Sequence, residues 1–396
     1  MAHPLTDKGL GQHHEGSQEE GLDLFLAGPI FFDIVFTGLP TEPRPGTEVW
    51  AEGMGSLPGG AANLAVAAAR LGLRTGLSSG FGDDAYGQWA WSLLQAQEHI
   101  DLSRSRIFPG WHSAVTVSLA TRGDRSMITH GHPTPISQLQ MIGTLPRSRA
   151  FMTELVVQGD ETPWWHGAND SGALVFADVG WDPTGRWDPA VLGNLDQCHA
   201  FLPNHVEAMQ YTRTDTPEAA LAALSKRVPL AIVTRGKDGA IAVDSTTGET
   251  ASVGSLDVVS IDTTGAGDVF AAGMVVGTLG GWPLEQRLLF SALCSALAVQ
   301  NFGGSLASPG WGDISDWWED TKTRASGTAA DTELAHRYGF LDDLVRDQSH
   351  DAVRRAEATF GLLSEVEEHV RSDHPAPHTK TSVRRTIAVP DMKDKT

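Results

Sequence analysis

The sequence predicts an α/β protein with a mostly parallel central sheet and helices on both faces. From Leu22 onward, strand-sized apolar runs alternate with amphipathic or alanine-rich segments, the pattern of βαβ units. The later runs are nearly continuous in apolar residues, as strands buried on both faces are. Hydrophobic residues make up 41% of the 396, which is enough for a sizeable core.

Each element has its own signal. LDLFLAG (22–28) is the first strand, and GAANLAVAAARLG (60–72) is a small-residue helix closed by Gly72. RTGLSSG (74–80) makes a second strand, followed by a helix over about 84–98. SAVTVSLATRGDRSMITH (113–130) reads as a hairpin about a Gly-Asp turn. AFMTELVV (150–157), ALVFADV (173–179), CHAFLP (198–203) and LAIVTRG (230–236) are further strands, and IAVDSTTGETASV (241–253) is a second hairpin. Helices at about 267–280 and 284–301 close a core expected to span 21–320. Residues 1–20 read as a disordered lead, and 321–396 as a charged extension, partly helical and partly disordered.

Composition excludes several classes. With 29 basic and 49 acidic residues the formal net charge is -20, which disfavours a sequence-independent grip on nucleic acid. No apolar run approaches the roughly 20 residues that span a bilayer, and the N-terminus lacks the pattern of a secretory signal. Cys198 and Cys294 are the only cysteines, too few for a disulfide framework or a zinc cluster, so a cytoplasmic location is expected. GFGDDA (80–85) formally fits a dinucleotide fingerprint, yet Asp83 and Asp84 would face the pyrophosphate, so it reads as a helix cap.

The stretch IDTTGAGDVFAAGM (261–274) carries the chemistry. Its glycine turn delivers the chain into a helix whose first amides have no intrahelical partner and, with the helix dipole, form an anion site. Glycine permits close backbone approach and positive φ. A carboxylate beside such a site repels an anion, so Asp268 makes chemical sense as a base that takes the proton of a hydroxyl attacking phosphorus. The plainer alternative is an ordinary acid at a helix start.

The spacing D-T-x-G-A-G-D resembles the C-terminal signature of the ribokinase-like (PfkB) carbohydrate kinase family, matched by Asp262, Thr263, Gly265, Ala266, Gly267 and Asp268. The resemblance implies a three-layer sandwich with a small β lid, here about 35–57 and 113–130. It also implies that Asp268 is the base and that the amides of Gly265, Ala266 and Gly267 hold the transferring phosphoryl group. GSLPGGAANLAVAAARLG (55–72) looks like the family's G-G-x-x-x-N-x-A block, which with Asp33 implies sugar contacts from Asp33, Gly59, Gly60 and Asn63. PNHVE (203–207) resembles the P-N-x-x-E element, implying Asn204 near the nucleotide and Glu207 near Mg2+ through water, although the same residues suit a capping box. VTRGKDGA (233–240) is similar to the T-x-G-x-x-G loop that borders nucleotide phosphates, here Thr234, Gly236 and Gly239, with Lys237 or Arg235 as added charge. NFGGSLASPG (301–310) resembles the loop that helps bind a monovalent cation, K+, with Asp262 and Thr264 as partial ligands.

The expected function is ATP- and Mg2+-dependent phosphorylation of a hydroxymethyl group on a small sugar-like substrate. Alternatives are a nucleoside (adenosine-like) or sugar-phosphate kinase of the same fold, and a non-catalytic sugar sensor. Arg122 and Arg125 on the first hairpin suit either an anionic substrate or solvent. In relatives the lid often pairs with another subunit, so a homodimer through the lid is a further expectation.

Overall fold

The computed structural model describes residues 21–346 other than 122, 123, 158, 160, 161 and 183, together with residue 353. Expectations for the lead, for Arg122, for the Arg125 side chain and for the tail after 353 lie outside the described residues.

The chain opens with β1 (Leu22–Ala27), continues into β2 (Ile30–Leu39) and returns as β3 (Gly53–Gly60), which passes directly into α1 (Ala61–Arg70). β4 (Thr75–Ser78) and β5 (Gly80–Gly82) precede α2 (Ala85–Ser92), which widens into a π-helical turn over Leu93–Gln97. β6 (Arg106–Phe108), the hairpin of β7 (Val115–Thr121) and β8 (Asp124–His130), and α3 (Gln138–Ile142) follow. Next come β9 (Ser148–Glu154), β10 (Leu174–Asp178), β11 (Ala200–Phe201), α4 (His205–Thr212) and α5 (Pro217–Leu224). β12 (Leu230–Thr234) leads into the hairpin of β13 (Ala240–Asp244) and β14 (Glu249–Val253). The described chain ends with α6 (Ala266–Leu279), α7 (Leu284–Ala298), α8 (Gly304–Ala307), α9 (Trp311–Arg324), α10 (Ala329–Arg337) and α11 (Leu341–Arg346).

The eight-stranded sheet has the order β14-β13-β12-β11-β10-β9-β1-β4; the last six are mutually parallel and the β13–β14 hairpin is antiparallel at one edge. Both faces are covered, so strand residues alternate between two cores. Leu24 and Leu26 of β1 join α1, α6 and α7 on one side, while Phe25 joins the side closed by α4 and α5. α6 and α7 pack closely because Gly273 has no side chain: a Cβ there would lie 2.9 Å from the Ser291 Cα. The sequence run at 198–203 yields a strand of only two residues, since its flanking amides, His199 N to Val175 O (2.7 Å) and Leu202 N to Ala177 O (3.0 Å), bond outside the regular ladder.

A second sheet, β3-β2-β7-β8, stands beside the first, with β2 and β7 parallel and the other pairs antiparallel. Asp33 lies in register with Leu57 and Thr116, and Thr116 with Thr129, so these side chains share one face. Ile34, Val117 and Ile128 form a row on the opposite face. Asp84 caps α2 by accepting from Gly87 N at 2.9 Å, an ordinary helix start rather than a dinucleotide loop. Beyond residue 320, Tyr338 and Leu341 are fully buried in the cluster that contains α7, and Tyr338 donates to the Leu289 carbonyl at 3.3 Å. No helix among the described residues is long and apolar enough to cross a membrane.

Candidate active site

The parallel strands end on one edge of the sheet, and in open α/β sheets ligands bind beyond the carboxyl ends of strands. Glu154 closes β9, Asp178 closes β10, Asn204 and Glu207 follow β11, and Thr234 closes β12. Gly265 starts α6 beside them with φ 73, a left-handed value that favours glycine. A Cβ on Gly265 would also lie 2.7 Å from the Gly304 Cα, so the turn tolerates no side chain.

Asp262 ties this turn together. Its Oδ1 accepts from Thr264 N (2.9 Å) and Thr264 Oγ1 (2.7 Å), and its Oδ2 accepts from Gly303 N (3.1 Å). The carboxylate expected to hold K+ therefore already has N–H and O–H partners within the fold. Ala266 N makes a long bond to Thr263 O, 3.3 Å, while a Cβ on Gly267 would meet no atom within 4 Å. The first turn of α6 thus presents its positive end to open space at Gly267.

Asn63, in the first turn of α1, donates to Asp268 Oδ2 at 3.2 Å across 205 residues of sequence. The Asp33 carboxylate lies against Gly59, where any Cβ would collide with it, and Gly60 turns the chain into α1 with φ 63. The two sequence blocks thus meet at Asn63 and Asp268, with Asp33 and Gly59 a few residues along β2 and β3.

On the other side, Asn204 Oδ1 accepts from Val206 N (2.9 Å) and Glu207 N (3.0 Å), and Glu207 Oε2 accepts from Asn204 N (2.9 Å). This is a complete capping box, and it leaves the second Glu207 oxygen outside the cap. Thr234 pairs with Asn204 in an isolated parallel bridge. Gly236 and Gly239 sit farther out, in the turn closed by Arg235 N to Gly239 O at 2.7 Å. Arg235 donates to Glu218 (3.4 Å) and to the Asp238 carbonyl (3.1 Å). The Lys237 carbonyl accepts from Ser255 Oγ at 2.5 Å.

Two residues that sequence reasoning missed complete the site. Glu154 and Asp178 are in register on adjacent strands, and each ends an apolar run with an acid, the one signal that could have marked them. Burial raises the Asp178 carboxyl well above the carboxylate range, and the charges of Glu207, Asp268 and Glu154 add to this while the Val179 amide opposes it. Glu207 is raised by burial and by Glu154, against the Asn204 hydrogen bonds. Glu154 is open to solvent on one side, yet protein around the rest raises it, against a hydrogen bond from Gly180 N. Asp268 is pushed up to about 6 by burial, with Asn63 opposing and Glu154 reinforcing the shift.

Four carboxyls converge here, and their mutual repulsion favours a bound cation or proton. Among the described residues no group of three or more His, Cys, Asp or Glu is placed to hold a metal by itself. Mg2+ keeps several waters and is completed by substrate phosphates, so it does not require such a group. The donor set is oxygen only, as this hard cation requires, and Gly267 opens on the space an anion needs.

Residues 36–310 match the pfkB family carbohydrate kinase. A fructokinase of Klebsiella pneumoniae is 30% identical over 293 residues, covering 64% of this chain and 89% of the relative. A 5-dehydro-2-deoxygluconokinase of Geobacillus thermodenitrificans (strain NG80-2) is 23% identical over 322 residues, covering 74% and 91%. The fold is shared with a solved structure of Arabidopsis thaliana ribokinase complexed with ribose and ATP, at a TM-score of 0.59 and 23% identity over 73% of this chain and 96% of that one. Sequence match, fold and the meeting of Asn63 with Asp268 agree, and the chain belongs to the pfkB family of carbohydrate kinases and is a phosphotransferase.

Proposed function

We propose that the protein transfers the terminal phosphoryl group of ATP to a hydroxymethyl oxygen of a sugar-like acceptor, with Asp268 as general base. The observation that carries this reading is the Asn63–Asp268 contact of 3.2 Å at the start of a 14-residue helix whose first turn opens at Gly267. A carboxyl with pKa about 6 is mostly ionised at neutral pH and is a better proton acceptor than an ordinary aspartate. Asn63 orients it. Asp33, Gly59, Gly60 and Asn63 would hold the acceptor, with hydroxyls shared between the Asp33 carboxylate and the Asn63 amide.

ATP with Mg2+ supplies the phosphoryl donor and the charge neutralisation that phosphoryl transfer needs. Asn204, Thr234, Gly236 and Gly239 would border the nucleotide, Glu207 would face Mg2+ through water, and the amides of Gly265, Ala266 and Gly267 would stabilise charge on the transferred group. K+ beside Asp262 and Thr264 rests on the resemblance alone. The ionised Asp268 carboxylate, set among the other acids of the site, repels an anionic acceptor, which weighs against a sugar phosphate. A non-catalytic sensor has no use for a raised carboxyl at the mouth of an anion cradle.

The test is ATP consumption with and without acceptors drawn from sugars and nucleosides; ATP use that no acceptor changes would sink the proposal. In the same assay kcat/KM rises with pH through about 6 and levels above it, because the base must be ionised. The limb belongs to the coupled carboxyls as a group. Glu154→Gln removes a negative neighbour, lowers the Asp268 carboxyl and moves the limb to lower pH; an unmoved or raised limb contradicts the coupling.

The four-stranded sheet would act as a lid over the acceptor. Its face opposite Asp33 carries Ile34, Phe36, Val117, Leu119 and Ile128, the last 66% exposed, which supports pairing of two copies through it. Sedimentation equilibrium is expected to show a dimer that Ile128→Lys shifts toward monomer; a wild-type monomer at all concentrations excludes it.

A further inference from the structure

The acid-lined end of the sheet has an apolar border that the kinase reading above leaves unused. Glu154 and Asp178 are in register at the ends of β9 and β10, and one further bond, Leu155 N to Asp178 O at 2.8 Å, ties the chains just beyond them. Beyond that point, Val156, Val157 and Trp181 are 66%, 51% and 67% exposed. Gly180, the residue before Trp181, donates its N–H to Glu154, and a Cβ on Gly180 would collide with that carboxylate. The Trp181 backbone is thereby held one residue from a site acid.

The Trp181 ring is supported from below. It meets the Trp187 ring edge to face, with centroids 5.0 Å apart and planes at 88°, and Trp187 meets Tyr211 likewise at 5.4 Å and 83°. Trp187 and Tyr211 are themselves buried, at 6% and 5% exposure, so the exposed ring rests on a fixed base. Trp187 sits at φ 51, a left-handed value unusual for a bulky side chain, and Arg213, at φ 56, is the left-handed C-cap of α4. Among the described residues only His99 is another non-glycine with positive φ, so two of three such positions fall in this one network. Asp182 Oδ2 accepts from Trp187 N at 2.7 Å, and Arg213 Nη2 donates to the carbonyls of Arg186 (2.8 Å) and Trp187 (2.9 Å). Strain over-determined by its surroundings concentrates at functional sites, and here its product is the placement of one exposed indole.

We propose that Trp181, with Val156 and Val157, is a stacking surface for a flat aromatic aglycone, so that the acceptor is a neutral nucleoside-like compound rather than a free sugar. The hydroxylated ring lies toward Asp33, Asn63 and Asp268, and the aromatic group extends past Glu154 onto the indole. An aromatic ring offers both an apolar face and a quadrupole to stack on, while a free pentose leaves these three side chains in water. The inference rests on the kinase reading and specifies its substrate class.

The experiment compares adenosine, cytidine and phenyl riboside with ribose and fructose, using wild type, Trp181→Ala and Trp181→Phe. Acceptor binding without ATP is read by calorimetry, and kcat and KM by ATP consumption. At least one acceptor with an aromatic aglycone binds about tenfold more tightly than either sugar. Trp181→Ala weakens that acceptor about tenfold in both Kd and KM, the size of one good aromatic contact, and leaves the KM for ATP unchanged. Trp181→Phe restores most of the loss. Phenyl riboside preferred over both nucleosides still supports an aromatic aglycone. Ribose or fructose binding as well as every aromatic acceptor, unchanged acceptor affinity in Trp181→Ala, or a raised KM for ATP instead, overturns the assignment. Turnover of a free sugar alone would reject this inference while upholding the kinase, and aromatic-acceptor binding without ATP consumption would do the reverse.

Discussion

Asp268→Asn is expected to lower acceptor-dependent turnover by roughly a thousandfold or more while ATP binding stays near wild type, the range a positioned general base supplies. The substitution keeps shape and keeps the Asn63 neighbour, which donates at 3.2 Å in the wild type. What it removes is the proton acceptor. Near-normal turnover in this variant would end the assignment of Asp268 as base. The same variant has a stability signature of the opposite sign. A carboxyl raised to about 6 in the folded state binds its proton more tightly there than in the unfolded chain. Folding stability therefore falls as pH rises from about 4 to about 6 and stays reduced above that, by roughly 2–3 kcal/mol as an upper bound. Asparagine has no proton to lose. Thermal melts should find Asp268→Asn as stable as wild type near pH 4 and more stable at pH 8, so lost activity cannot be put down to misfolding.

How legible this site was in the sequence depends on the kind of information each residue carries. The glycine-acid turn at 262–268 and the di-glycine block at 59–63 are local patterns, and the turn itself demands their residue types, as the 2.7 Å approach at Gly265 shows. Their meeting is not local: no spacing rule connects Asn63 to Asp268. Glu154 and Asp178 were illegible for a related reason. Each is an acid at the end of an apolar run, which any solvated strand end can show, and only the β9–β10 register makes them neighbours of each other. The fold was read more fully, because burial on two faces imprints continuous apolar runs on strands such as Leu230–Val233, all fully buried. The charged segment after residue 320 hid Tyr338 and Leu341, which lie beside the turn between α10 and α11 where helical periodicity gives no warning.

Arg70 shows the same limit at larger energetic scale, because a cation in the last turn of α1 reads as a solvated partner of the helix dipole. In the structure it is 2% exposed. Its Nε and Nη2 donate to the two Glu98 oxygens at 2.9 and 2.8 Å, and Nη1 donates to the carbonyls of Leu306 (2.9 Å) and Ser308 (2.7 Å). Arg70→Met should therefore lose about 3–5 kcal/mol, since it strands the Glu98 carboxylate, 4% exposed, and two carbonyls without their donor. Denaturant unfolding is expected to show a lower midpoint at an unchanged slope. Arg70→Met combined with Glu98→Gln should recover part of the loss, because the stranded charge is gone; a double variant no better than the single would place the cost in the carbonyls alone. The loop that Arg70 grips is also the one that presses Gly304 against Asn63 and gives Gly303 N to Asp262 at 3.1 Å. Slackening it loosens the turn beneath Asp268, so the folded fraction of Arg70→Met should turn over more slowly than wild type at saturating ATP and acceptor. A variant that loses less than about 1 kcal/mol would show that water or neighbouring groups replace the guanidinium, and that α8 is held by its apolar contacts instead.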